Sequence, residues 1–504
     1  MSSTHVVWFK RDLRTVDNEA LTRAAQQAHV ICLYIYEPAV LNHPDYDARH
    51  LRFTNQCLAE LDDRLSRLGG SLLIRFGPAV DVLNALYSEC EFSTLHSHIE
   101  TGNDVTYKRD LAVARWAKSM NVDWREYAQH GVFRRLKDRD GWSRRWLQQM
   151  RRPLFAEPES ITFAQHGPSD GLKTAAELGL DGHRLIDPQQ GGMSVAYETL
   201  HSFLTDRGSG YRFEMSSPNT AWSACSRISP HLAYGTISMR EILQKTEARQ
   251  ARVRASRALN RTKGDPWLES LASFSKRLRW HCHFIQKLES QPDLEFQNMA
   301  RVYDGMREPH FRDDFFDAWK AGLTGYPLVD ACMRALRQTG WLNFRMRAML
   351  VSFASYHLWL HWRPTAIFLA QQFVDYEPGI HYSQCQMQSG TTGINSVRIY
   401  SPIKQVADHD PDGQFIKRWV PELEAVPNEY IAEPDKMPAT VQLSAGCVIG
   451  RDYPAPLVSH RAAVAAAKKR IYALRKTAGA RAESKKVYVR HGSRRGPASR
   501  RRPS

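Results

Sequence analysis

Residues 341–402 read WLNFRMRAMLVSFASYHLWLHWRPTAIFLAQQFVDYEPGIHYSQCQMQSGTTGINSVRIYSP, and this stretch decides how the chain is read. Its apolar residues recur at helical spacing, which predicts buried helices. It nevertheless carries Arg345, Arg347, Asp375, Glu377, His381 and Arg398. A buried charge without a partner is costly, so these groups must pair or face something charged. Arg347 and Asp375 stand 28 residues apart, which suits antiparallel neighbours joined by a short loop. Such a pair has two readings here: a structural tie between helices, or the wall of a cofactor pocket.

With 504 residues the chain can form two or more domains and bury a large core. Apolar content of 42% and aromatic content of 10% are ordinary for a soluble protein. The most apolar run, near Ala348–Trp362, is broken by His357 and His361, so no membrane span is expected. The start, MSSTHVVWFKRDLR, has no signal-peptide apolar stretch. Eight cysteines are dispersed without a CxxC, so neither a thiol redox motif nor a metal site is expected. A reducing cytoplasm is the simplest setting. The net charge of +16 is concentrated at the end: Lys468–Ser504 holds 14 Lys/Arg against Glu483 alone. The rest of the chain is only +3, so specific nucleic-acid binding needs a local basic face.

Five strand-like runs, HVVWF, VICLYIY, SLLIRF, FSTLHSH and VDWREY, alternate with helical patterns across residues 1–130. That alternation predicts an α/β domain with a doubly wound parallel sheet. No GxGxxG follows the first strand, so classical dinucleotide binding is not supported there. Residues 131–195, with GPSDG and DPQQGGMS, read as an irregular connector. Residues 196–470 are helical throughout, an all-α C-terminal domain. The segment 471–504 is basic and poor in apolar residues, which predicts a disordered tail that binds polyanions non-specifically.

Three blocks carry a resemblance. VVWFKRDLRTVDNEAL near the start, SRISPHLAYGTIS at 226–238, and the run from WKAGLTGYPLVDACMRALRQTGW through RIYSP resemble the DNA photolyase/cryptochrome family, in order, over about residues 4–470. The resemblance implies FAD bound in the helical domain and leaves room in the α/β domain for a second, antenna chromophore of unknown identity. The ETGN stretch after His98 is a weak pointer to that second pocket.

By this resemblance Tyr211, Ser226, Arg227, Ile228 and Ser229 approach the FAD phosphates. SRIS also reads as a helix start, where free N–H groups favour an anion; the plain alternative is an ordinary cap. Arg347 matches the arginine flanking the isoalloxazine, Asp375 its carboxylate partner, Tyr376 and Glu377 neighbouring flavin positions. His381 stands where photolyases usually have an Asn facing flavin N5, and an imidazole there can change charge with pH. The alternative is a core histidine.

On the nucleic-acid side, Trp280 matches an aromatic wall of the lesion pocket, and Arg345 and Arg398 match phosphate-contacting arginines. The stripe Arg249, Arg252, Arg254, Arg257 and Arg261 is equally well a solvated helix face. Departures are numerous: Arg277 replaces a lesion-contacting Glu, Met387 an aromatic wall, and Phe344 an Asn. Of the three tryptophans of the family's electron-transfer chain only Trp362 remains; Cys385 and Pro309 replace the others. Trp359, Tyr356 and Tyr382 offer another route. The leading expectation is a monomeric, blue-light-driven enzyme that repairs pyrimidine dimers in damaged DNA, with Trp280, Trp362 and His381 taking part in the chemistry and Arg277, Trp280, Arg345 and Arg398 contacting DNA. The alternative is a cryptochrome-like photoreceptor without repair activity.

Overall fold

The predicted strand runs form one parallel sheet in the computed structural model, which describes residues 3–136, 138–180, 185–260 and 265–492. The strands are β1 (Thr4–Phe9), β2 (His29–Tyr36), β3 (Leu72–Phe76), β4 (Thr94–His98) and β5 (Asp123–Tyr127), in the order β3-β2-β1-β4-β5. Val7 and Phe9 of β1 pack into one helical layer with Leu21, Leu58 and Leu61. Val6 and Trp8 pack into the other with Leu83, Val113 and Trp116. Covering on both faces explains why β1 and β2 are continuous apolar runs rather than alternating ones. The winding reverses between β1 and β4, and a cleft opens at the carboxyl ends of the strands there, where doubly wound sheets take ligands.

The connector contains a helix that the sequence reading misses. Trp142, Trp146 and Met150, spaced four apart, bury one face of the Trp142–Met150 helix against Leu200, Phe203 and Leu243. Nine residues are too few for the period to stand out among the prolines and glycines around them.

From Met193 onward the described elements are helical. The Trp267–Ser290 and Pro378–Ser389 helices pack closely, with Gly379 at the contact: a Cβ there would lie 2.6 Å from Ile285 Cα. The expectation of disorder over 471–504 is corrected over residues 471–475 and 478–491, which are helical, and its remainder at 493–504 lies outside the described residues. The Ala478–His491 helix buries Ala480, Val487 and His491, and Val487 joins Leu288, Leu294 and Tyr303 in a small core. Ser484 Oγ donates to the Gly393 carbonyl at 2.9 Å. The buried residues are few but share one face, while Tyr488 and Val489 stay exposed on the other, so neither composition nor an apolar period marks this helix. No described helix is long and apolar enough to cross a membrane.

Candidate functional site

Each of the two packed helices carries a stripe that is not fully buried and bears predicted site residues. On the first it is Arg277, Trp280 and His281; on the second, His381, Gln384 and Met387. Near these helices Arg347 meets Asp375 in a bidentate pair, Nη1 to Oδ1 and Nη2 to Oδ2, both 2.9 Å. Arg347 Nε is also held by the Leu342 carbonyl at 2.7 Å, and Ser229 Oγ donates to Asp375 Oδ2 at 2.6 Å. Burial alone would raise the Asp375 carboxyl; Arg347 and these hydrogen bonds outweigh it and hold the group below its usual range. Asp375 sits in the short loop between the Trp362–Gln372 and Pro378–Ser389 helices, so the pair ties a loop to a helix.

The SRIS block lies beside this pair. Arg227 has a positive φ of 58° and lies between the Trp222 and Trp341 rings, 3.8 and 4.0 Å from their centroids. Its Nη2 reaches Gln189, while Nε and Nη1 have no hydrogen-bond partner among the described residues. Burial lowers its pKa to about 10. Ile228 is buried beneath it. A helix does start at Ser229, as the SRIS block predicts, but it has only five residues, Ser229–Ala233, so its dipole is small. The free cation there is the Arg227 side chain. The Ser226 carbonyl accepts from Arg207 Nη2 at 2.8 Å. Tyr211 is buried against Phe203 and Phe274, its hydroxyl beside Arg277.

His381 Nε2 faces the Ala366 carbonyl at 2.8 Å, which assigns the proton to Nε2 and leaves Nδ1 an acceptor. Burial lowers its pKa to about 4, so the ring is neutral at physiological pH. The expected pH-dependent charge is thereby corrected. Tyr376 and Glu377 turn away from the Arg347–Asp375 pair. Tyr376 donates to Asp45 Oδ2 at 2.5 Å, and Glu377 pairs with Arg11 at 3.9 Å, both toward the sheet domain. Gln384, which the sequence reading missed, has an unpartnered buried Oε1. Its place three residues after His381, on the same helix face, is the signal that would have found it.

Trp362 is fully buried, with Nε1 donating to Asn298 at 2.7 Å and its ring 6.4 Å from Tyr382. The Tyr382 hydroxyl reaches Asp45 Oδ2 at 3.2 Å. Trp359 instead lies between Arg307 and Arg470, each 4.7 Å from its ring centroid.

At the open end Trp280 is 50% exposed and carries Arg277 over its ring at 4.7 Å. The exposed Phe344 lies 5.9 Å from the same guanidinium. Arg345 and Arg398 line a surface groove of about 610 Å³ with Tyr400, Lys468 and Tyr472. Of the basic stripe, Arg249 packs on Trp267, Arg257 pairs with Asp265, and Arg261 lies outside the described residues. In the sheet domain, the cleft at the strand ends is lined by Trp8, Tyr34, Tyr46, Asn103, Arg109 and Tyr376. Arg109 is held there by Glu37 and Glu100 at 2.7 and 2.5 Å.

A doubly wound α/β domain followed by a helical domain that buries the Arg347–Asp375 pair is the architecture in which the likeness to known proteins places this chain. Residues 5–156 match the family described as DNA photolyase, and residues 274–473 the FAD binding domain of DNA photolyase. The chain is 27% identical to cryptochrome DASH of Gloeobacter violaceus, over 91% of this chain and 93% of that protein. A class III photolyase from Agrobacterium tumefaciens superposes with a TM-score of 0.80 at 28% identity, covering 95% of this chain and 98% of that one. An archaeal photolyase from Sulfolobus tokodaii, solved with two FAD molecules, gives 0.75 at 25% identity, covering 93% and 100%. The chain belongs to the DNA photolyase/cryptochrome family.

The residues present fit FAD. The unpartnered Arg227 nitrogens suit a diphosphate, and the unpartnered Gln384 Oε1 and the Arg347–Asp375 pair suit a polar ring edge.

Proposed function

We propose that this protein is a DNA photolyase that splits pyrimidine dimers under blue light using reduced FAD. The observation that carries the reading is the exposed Trp280–Arg277–Phe344 cluster, with Arg345, next in the chain to Phe344, lining a groove together with Arg398. When bound, FAD supplies the light-driven electron that splits the dimer and takes it back afterwards. The protein's residues hold and orient. Arg347, fixed by Asp375, stabilises negative charge on the ring, while Arg227 with Ser226 and Tyr211 holds the diphosphate. His381, neutral, presents a fixed lone pair on Nδ1. Trp280 and Phe344 offer aromatic faces to a flipped-out, lesion-bearing dinucleotide, and Arg345 and Arg398 take the flanking phosphates.

A second reading, a cryptochrome-like photoreceptor, draws on Arg277, Phe344 and Met387, which depart from the photolyase lesion pocket, and on the similarity to cryptochrome DASH. The cleft at the strand ends suits a second chromophore, since it lies at the switch point of the sheet and is lined by Trp8, Tyr34 and Tyr46. The deciding experiment irradiates the reduced, FAD-loaded protein with oligonucleotides bearing one cyclobutane dimer or one (6-4) product and follows restoration by chromatography. Restoration of neither supports the photoreceptor.

A further inference from the structure

The far end of the Trp267–Ser290 helix holds a buried cationic cluster without an acid. Arg139 is 5% exposed; its Nη2 reaches the His283 carbonyl at 3.4 Å, and its Nε and Nη1 have no partner. Lys287 is 3% exposed, with the Phe284 ring at 4.9 Å and no hydrogen bond or ion pair among the described residues. His491, 1% exposed, shares its Nε2 with Gln291 at 2.7 Å, while its Nδ1 is unpartnered.

These groups act on one another. Burial comes first, and then mutual repulsion lowers Lys287 to about 7 and pushes His283 and His491 down; burial alone takes Arg139 to about 10. No carboxylate is among the main influences on any of the four. Asp138 and Asp140 beside Arg139 are exposed, and the residues outside the described set nearby in sequence, 137 and 493–504, include no Asp or Glu. Buried cations without a counter-charge are strongly unfavourable.

We propose that Arg139, Lys287 and His491 form a buried site for a phosphate-class oxyanion that fastens the Ala478–His491 helix to the end of the Trp267–Ser290 helix. Arg139 Nε–H and Nη1–H, on different edges of the guanidinium, are two unpartnered donors, each able to make a charge-assisted hydrogen bond to an oxyanion. A bound anion would favour the charged form of Lys287, whose pKa is about 7 without it, and so draw in the second positive charge a dianion requires. His491 comes from the C-terminal helix, beside Arg490, which donates to the Ser290 carbonyl at 2.6 Å, so the anion bridges the two elements. Free phosphate and the phosphate of a nucleoside monophosphate share this chemistry.

The test uses the full chain in inorganic phosphate, in AMP, and in NaCl at matched ionic strength, reading thermal midpoint and tryptic cleavage within residues 478–491. Phosphate is expected to raise the midpoint in a saturable way. At ten times its Kd it is expected to slow cleavage about tenfold, because only the docked helix binds. Arg139→Gln and Lys287→Met each lose that response. An equal response to AMP identifies the phosphomonoester group as what is read, whereas a response to inorganic phosphate alone identifies a closed site for the free ion. If wild type in phosphate and in AMP behaves as it does in NaCl, or either folded variant keeps the full response, the proposal is overturned. The wild-type comparison decides even if a variant does not fold.

Discussion

Trp280→Ala separates lesion reading from everything else the site does. Half of this side chain is open to solvent, so truncation removes little packing and the fold should lose no more than about 0.5 kcal/mol, as for surface substitutions. The open face is what a base would stack on. Stacking on an aromatic side chain contributes roughly 1–3 kcal/mol per base, which is about 5- to 150-fold in affinity. Binding to a duplex with a single dimer should therefore weaken by that factor, while binding to undamaged duplex changes little. Arg345→Ala supplies the contrast: it removes a phosphate cation and should weaken both about equally. Fluorescence anisotropy at one fixed salt concentration measures both affinities, and absorbance at the flavin bands checks retention of FAD, which neither variant should alter. Equal loss on damaged and undamaged DNA in Trp280→Ala, or no loss on either, refutes the placement of the lesion pocket.

The light-driven reduction of the cofactor should depend on Tyr382 rather than Trp359. Trp359 sits between two guanidinium groups that oppose a positive charge on its ring, whereas the Tyr382 hydroxyl has the Asp45 carboxylate to take its proton. Tyr382→Phe is expected to slow photoreduction more than Trp359→Phe, and the reverse order in flash photolysis would sink this route. Removing residues 493–504 takes away five Lys/Arg and no acid, so non-specific DNA binding should show a flatter salt slope with an unchanged thermal midpoint. Removing 477–504 also strips the helix that buries Val487, and should lower the midpoint as well; equal midpoints for the two truncations would contradict the packing. His231 is fully buried with its pKa lowered by burial to about 3, against about 6.5 when unfolded. Stability is thus untouched above pH 6.5 and falls as pH drops below it, because only the unfolded state takes the proton. His231→Gln should make that acid limb shallower by up to about 1.4 kcal/mol per pH unit in denaturant titrations, and an unchanged slope would refute it.

The sequence by itself determined the elements whose signal is local. The apolar runs of β1 and β2 located the sheet, because strands covered on both faces must be apolar throughout. Charges inside an apolar helical stretch pointed to Arg347 and Asp375, because such groups need partners, and three ordered blocks carried the family resemblance. The tertiary structure decided what each side chain meets. Asp375, Tyr376 and Glu377 are consecutive, yet the first faces Arg347 and the others cross to Asp45 and Arg11 of the sheet domain. A loop's side-chain directions follow from its backbone torsions, which residue type alone does not specify. His381 is neutral because burial, not its neighbours in the chain, sets its proton affinity. Val487 and His491 find burial only because residues some two hundred positions earlier come to meet them. Periodicity reports that a face is apolar; only the assembled chain supplies the surface that covers it, and with it the dielectric and the partners that fix each charge.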